Sequence, residues 1–334
     1  MPSIDAGEEK RYNLTVRINE NPREKIMVYT LTLNPALDYV MKTERLRYDD
    51  INRSSNETFY CGGKGINVSV MLTRLGIRNT ALGFTAGFTG AYLEERLKAD
   101  GIDCDFIRLK HGCTRMNVKI KAETELDINA SGPEVGEEEL QLLTERLNRL
   151  ASGDILVIAG SVPKNLPSDL YETIAKQMER KGVRLVIDAE GDLLLRTLKC
   201  KPFLIKPNHH ELGDLFGVSL RTEEEILPYA RELQKAGAQN VLVSRAKDGA
   251  LLLDGTGRVY RTENAEGRLI NSVGCGDSMV AGFLAGYLKY GDYFKALQWG
   301  TACGNATAYS EGLGEKETID MFLHKHRRLE HDKV

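Results

Sequence analysis

Asn271-Ser272-Val273-Gly274-Cys275-Gly276-Asp277-Ser278 stands where a polar turn gives way to an apolar helix. Met279, Val280, Phe283, Leu284, Tyr287 and Leu288 follow at a spacing that lines one buried helical face. Two glycines let the backbone approach a ligand closely, and the free N–H groups of a helix start point outward. The stretch therefore reads as a seat for an anion. Asp277 does not suit a seat that serves binding alone, because a carboxylate repels a bound anion. Two readings of it follow from the residues. An ionised Asp, with an ordinary pKa of about 3.9, accepts a proton from an attacking hydroxyl beside a phosphoryl group; alternatively, Asp277 is an N-cap of the helix behind the glycines.

Upstream, short apolar runs alternate with helical patterns. Met27 to Leu33, Ile155 to Ile158, Arg184 to Asp188, Phe203 to Ile205 and Val241 to Val243 read as strands, with helical patterns such as Leu140 to Leu150 and Ile226 to Leu233. Such runs suit parallel strands covered on both faces, which predicts an α/β domain over residues 27–325 with no internal repeat. The segment 38–60 is polar with scattered β-formers, and Met116 to Ile120 alternates as a half-exposed strand does. On the residues alone these segments read equally as strands or as exposed loops. Residues 1–26 are polar and weakly periodic, and are expected to form a peripheral or disordered arm, the alternative being an edge strand through Leu14, Val16 and Ile18. Residues 326–334 read as a polar tail.

With 334 residues the chain can bury a large core. Its formal net charge of −3 gives no reason to expect nucleic acid or an anionic membrane as a partner. The cysteines at 61, 104, 113, 200, 275 and 303 form no CxxC pair, so a zinc site or disulfide framework is not expected. No apolar run approaches the roughly 20 residues that span a bilayer. A cytoplasmic location with reduced thiols follows as the expectation.

The Gly-Cys-Gly-Asp turn resembles the signature of the ribokinase-like sugar kinases, in the phosphofructokinase B branch, which usually reads Gly-Ala-Gly-Asp. The resemblance continues through Thr32-Leu33-Asn34-Pro35-Ala36-Leu37-Asp38, Gly62-Gly63-Lys64-Gly65-Ile66-Asn67, Thr114-Arg115-Met116-Asn117-Val118-Lys119, Gly160-Ser161-Val162-Pro163 and Lys206-Pro207-Asn208-His209-His210-Glu211. It implies a doubly wound, mostly parallel sheet with helices on both faces. It also implies a small β-sheet lid from segments 38–60 and 114–130, shared between two subunits of a homodimer. ATP and Mg²⁺ are the implied cofactors. Within the branch, Thr-Arg-Met-Asn-Val-Lys favours fructose 1-phosphate as the acceptor, at its 6-hydroxyl, over tagatose 6-phosphate.

Carried over position by position, the resemblance makes Asp277 the base and gives the migrating charge to the amides of Gly274, Cys275 and Gly276. Asp38 takes sugar hydroxyls; Gly62, Gly63, Asn67, Asn117 and Ser161 join it. Lys64 and Arg115 are expected to hold the phosphate already on the sugar. Without the family match, Lys64 reads as an exposed lysine and Arg115 as half of a surface ion pair. Lys206, Asn208, Ser244, Gly249, Thr301 and Asn305 fall on the ATP side, with Glu211 holding Mg²⁺ through water. Asn208 and Glu211 equally read as a helix cap, and His209-His210 as exposed residues that bind no metal. Arg245-Ala246 replaces the usual Leu-Gly of the ATP turn, which is expected to shift its backbone. Two other classes are disfavoured. A dinucleotide enzyme needs a Gly-rich turn after its first strand, where this chain has Asn34-Pro35, and a noncatalytic sugar-phosphate sensor has little use for Asp277 or Glu211.

Overall fold

The computed structural model describes residues 26–331. The expected N-terminal arm, up to residue 25, and residues 332–334 lie outside the described residues. The chain begins with β1 (Val28–Thr32), β2 (Ala36–Lys42), β3 (Asn56–Gly62), α1 (Lys64–Arg74) and β4 (Asn79–Ala86). It goes on through α2 (Gly87–Ala99), β5 (Asp103–Leu109), β6 (Arg115–Lys121), β7 (Leu126–Ile128) and α3 (Glu137–Leu147). Strand and helix then alternate: β8 (Ile155–Ala159), α4 (Leu170–Arg180), β9 (Arg184–Asp188), α5 (Gly191–Thr197), β10 (Leu204–Ile205), α6 (His209–Phe216), α7 (Glu223–Lys235) and β11 (Asn240–Ser244). The pair β12 (Ala250–Leu253) and β13 (Val259–Thr262) precedes α8 (Cys275–Tyr290), α9 (Tyr293–Ala308) and α10 (Lys316–His331).

Nine strands form the main sheet in the order β13-β12-β11-β10-β9-β8-β1-β4-β5. From β5 to β11 every neighbouring pair is parallel, and only β12 runs against the rest, pairing antiparallel with β11 on one side and β13 on the other. The doubly wound expectation holds. All of β8 is buried: Ile155, Val157 and Ala159 enter one core, and Leu156 and Ile158 the other. Burial of such a side chain contributes about 1.5–3 kcal/mol, which is why these strands read as unbroken apolar runs. The chain first builds outward from β1 to β4 and β5, then crosses to β8 and builds the other way. The crevice at the C-terminal ends of β1 and β8 is thus the point of reversal, where ligands bind in sheets of this kind.

The polar segments form a second sheet, ordered β3-β2-β6-β7. Strands β2 and β6 pair in parallel, placing Ala36 opposite Arg115 and Asp38 opposite Asn117. In β3 only Gly62 is buried, so this sheet has no core of its own to cover its outer strand.

Candidate active site

Helix α8 starts behind Gly274, whose φ of 81° is left-handed and favours glycine. No side chain caps the helix, and its first backbone bond runs from Ser278 N to Gly274 O at 2.9 Å. The amides of Cys275, Gly276 and Asp277 are thereby left for a ligand. The capping reading of Asp277 falls away, because Gly274 occupies the N-cap and Asp277 is inside the first turn. Only 5% exposed, Asp277 accepts a 2.7 Å hydrogen bond from Asn67 Nδ2 through its Oδ2. Burial, then the charge of Asp188, holds its carboxyl above the usual carboxylate range, against the pull of Asn67, Lys206 and Lys64. Burial and the neighbouring Asp277 push the Cys275 thiol up to about 11, and its Sγ donates to Asn271 O. Cys275 therefore offers the seat its amide and no thiolate.

Asp188, at the end of β9, is 1% exposed and was not singled out by the sequence reading. Lys64 Nζ and Lys206 Nζ each lie 3.5 Å from its Oδ1, while its Oδ2 has no hydrogen-bond partner among the described residues. Lys64 also reaches Glu190 Oε1 at 3.0 Å. Burial works to neutralise Lys64, but Asp188, Glu190 and Asp277 outweigh it and raise its pKa, so the ammonium stays charged. Lys206 is held against the seat: a Cβ on Gly276 would stand 2.9 Å from its Nζ. The available signal for Asp188 was a carboxylate closing an otherwise apolar strand, at the sheet edge where ligands collect.

On the small sheet, Asn117 Nδ2 donates to Asp38 Oδ1 at 2.7 Å, and the Asn117 carbonyl oxygen accepts from Ala130 N at 3.3 Å. Arg115 donates from Nε to Asn34 O at 3.1 Å, leaving its two terminal nitrogens without a hydrogen bond among the described residues. Gly62 closes directly on Asp38, with 3.2 Å between a Cβ there and the carboxylate. Gly63, at φ 118°, turns the chain from β3 into α1. The polar face ends there, since Lys119 is drawn 2.9 Å from Asp127. Ser161 lies exposed past the end of β8, at the point of reversal.

Asn208 and Glu211 form a complete capping box on α6: Asn208 Oδ1 accepts from the amides of His210 and Glu211, and Glu211 Oε2 accepts from Asn208 N. This uses one oxygen of Glu211 and leaves the other. His210 is exposed, but His209 is half-buried and the two rings lie 3.9 Å apart. The expectation that both are simply exposed is corrected for His209, which lies against the Ser244 backbone. Asn208 and Ser244 meet in a parallel bridge, so α6 and the turn after β11 line one rim. Thr301 is enclosed, its hydroxyl 2.6 Å from that of Thr262. Asn305 is also buried, with an Nδ2 that has no hydrogen-bond partner among the described residues.

The turn from Ser244 to Gly249 carries the Arg245-Ala246 replacement. Its closure is retained, with Arg245 N bonded to Gly249 O at 2.8 Å, but Ala246 takes φ 48°. The usual glycine relieves this strain; an alanine there costs about 1–2 kcal/mol. Ala246→Gly is therefore expected to stabilise the protein, raising Tm by a few degrees in a thermal melt. An unchanged or lower Tm would show that the added unfolded-state freedom of glycine outweighs the relief.

Comparison with known proteins fits this layout. The family description pfkB family carbohydrate kinase matches residues 23–319. A 1-phosphofructokinase of Bacillus subtilis is 46% identical over 297 residues, 89% of this chain and 97% of that one. A D-tagatose-1-phosphate kinase of Bacillus licheniformis is 38% identical, over 88% of this chain and 97% of its own. Among solved structures, phosphofructokinase-2 from Escherichia coli in complex with substrates and products has a TM-score of 0.85 at 27% identity, over 90% of this chain and 99% of that one. The family match takes in both sheets and the helix that carries the anion seat, and the chain belongs to the pfkB family of carbohydrate kinases.

Proposed function

We propose that this enzyme transfers the γ-phosphoryl group of ATP to the 6-hydroxyl of fructose 1-phosphate, giving fructose 1,6-bisphosphate and ADP. The observation that carries the reading is a buried carboxylate, Asp277, beside helix-start amides with no hydrogen bond among the described residues. The 46% identity with a 1-phosphofructokinase over nearly its whole length supports the choice of sugar. Asp277 takes the proton of O6 as O6 attacks the γ-phosphorus, and the bond to ADP breaks with its electron pair leaving on ADP. The helix-start amides of Cys275 and Gly276, with that of the N-cap Gly274 ahead of them, meet the charge that spreads over the phosphoryl oxygens. Asn67 orients the base. Arg115 takes the phosphate already on the sugar through its two free nitrogens, and Asp38, held by Asn117 and closed by Gly62, takes hydroxyls beside the Gly63 turn. Ser161 stands at the mouth. Lys206, Asn208, Ser244, Gly249 and Asn305 line the nucleotide side; enclosed Thr301 supports β13 from behind.

Magnesium fits the donors present. Among the described residues no three His, Cys, Asp or Glu side chains converge as a metal cage. The unpartnered Asp188 Oδ2 and the second Glu211 oxygen suit an ion that keeps most of its waters. Bound with ATP, it would neutralise phosphate charge. We also infer that a second copy covers the small sheet, where Phe59 and Ile128 are exposed; a monomeric mass in sedimentation would overturn this.

A site with Arg115 at one end and Asp277 at the other gauges the length of its sugar. Fructose 6-phosphate and tagatose 6-phosphate fit only in reverse, so fructose 1-phosphate is expected to exceed both in kcat/KM by at least about tenfold, or 1.4 kcal/mol. The second reading, tagatose 1-phosphate, rests on the Bacillus licheniformis relative and presents its phosphate at the same end. A coupled ADP-release assay across the four sugar phosphates with MgATP decides. A leading tagatose sugar would overturn the named substrate and keep the kinase.

A further inference from the structure

We propose that Leu313, clamped by Arg74, holds the helix-start seat where it works, and that both are positioning residues for phosphoryl transfer. This rests on the kinase reading above and asks what fixes the seat. Gly274, its N-cap, has a left-handed φ of 81° and no capping side chain. Ser272 and Val273, directly ahead of it, are exposed, and Val273 N bonds back to Asn271 Oδ1. The chain leading into the seat therefore leaves its position to be set by neighbours. Two of them meet at Gly274: a Cβ there would stand 2.7 Å from Leu313 Cδ2 and 3.6 Å from Asn67 Nδ2, the group that donates to Asp277. The Leu313 side chain fills the space the glycine leaves open. It is half-buried and packs against two of the apolar clusters.

Leu313 lies between α9 and α10, in a segment that is neither helix nor strand, so side chains must hold its backbone. Arg74, the last residue of α1, donates from Nη1 to Leu313 O at 2.7 Å and to Gly314 O at 3.0 Å, and its Nη2 lies 3.0 Å from Glu315 Oε1. A planar guanidinium suits this task, because its fork of donors reaches two carbonyls and a carboxylate at once. On the other side, Gly314 N donates to Thr307 Oγ1 at 3.0 Å, and that oxygen is 2.7 Å from the hydroxyl of Ser278, the residue after Asp277. Helices α1, α8 and α9 thus grip residues 313 and 314 from both sides. Amides stabilise a transferring phosphoryl group only as far as they stand ready before the reaction. Without the Leu313 contact Gly274 can shift, and the amides behind it shift too, while Arg115, Asp38 and Asn208 keep their own anchors. The loss therefore falls on the rate of transfer and not on binding.

The test is single-turnover transfer by Leu313→Ala, Arg74→Met and Arg74→Lys, on whichever sugar phosphate the unaltered enzyme uses best, each assayed below its own Tm. Leu313→Ala is expected to lower the transfer rate at saturating substrates at least about tenfold, within the loss that a misplacement of about 1 Å brings. KM for the sugar phosphate and for ATP should each change less than about threefold, the pattern of an interaction felt only in the transition state. Arg74→Met should behave alike. Arg74→Lys, whose ammonium still donates to the carbonyls, should recover part of the rate. If Leu313→Ala does not fold, Leu313→Val, one carbon shorter in reach, carries the test with an expected loss of at least about threefold. A lower Tm with the transfer rate unchanged, which packing alone would give, would overturn the proposal, and so would a loss carried by KM. A different preferred sugar changes the proposed substrate and leaves this test intact, whereas no ATP-dependent turnover by the unaltered chain would overturn both.

Discussion

Asp277→Asn is expected to lower kcat by about 10²–10⁴-fold, the range for loss of a general base, while KM for both substrates stays close to that of the parent. The amide oxygen of Asn still accepts from Asn67, so the local packing survives and only the proton acceptor is lost. The parent should also show an acid limb in kcat/KM at a pH above the ordinary carboxylate range, because burial and Asp188 raise the pKa of Asp277. Activity rises with pH through that limb as the carboxylate ionises; the variant should lack it. The same shift acts on stability. A carboxyl whose folded pKa is raised stabilises the fold at low pH and ceases to do so as pH rises past its folded value. Asp277→Asn should therefore melt higher than the parent at pH 8, with the gap closing in acid. Near-normal turnover in a folded variant would overturn the assignment.

Arg115→Ala should raise KM for the sugar phosphate by at least about 30-fold, as expected for truncating one partner of a buried charge pair at a cost of about 2 kcal/mol or more. KM for ATP should change little. The half-buried guanidinium is anchored at Nε by Asn34 O, which aims its two remaining nitrogens as a fork. Lys in its place is a poor substitute, since a point charge cannot keep the backbone anchor and both phosphate contacts together. If KM for ATP rose instead, Arg115 would belong to the nucleotide.

Residues close in the chain were the ones most readable. The Gly274–Asp277 seat is local: its glycines, amides and carboxylate are neighbours in sequence, and an apolar helix follows directly. The buried strands were equally plain because parallel strands covered on both faces are filled mainly by apolar residues, as in β8 and the Val241–Val243 run of β11. Long-range pairings were not readable. Asp38 meets Asn117 only because β2 and β6 lie side by side in parallel register. Asp188 reads as the last residue of a strand until β9 is set beside β8, with Lys64 and Lys206 on either side of its carboxylate. Thr301 and Asn305 are polar residues on a helix that reads as partly exposed, but α9 is packed against α8, α10 and β13, and both are buried. At Ala246 the replacement of glycine was visible, but whether the turn or the residue would yield was not; the closing Arg245–Gly249 bond prevailed.

The groups proposed to recognise the sugar, Asp38, Arg115 and Asn117, lie on the small sheet, those proposed to move the phosphoryl stand at the edge of the main one, and the two sheets share no strand. The chain passes between these sheets only at residues 33–35, 63, 110–114 and 129–136. Changes within β2, β3, β6 and β7 can alter which hydroxyls and which phosphate are read without disturbing Asp277, Asp188 or the amides ahead of α8. Inheritance then acts on the two halves separately: a lineage can drift from one sugar to another by small steps in the lesser sheet, each step leaving a working kinase behind it.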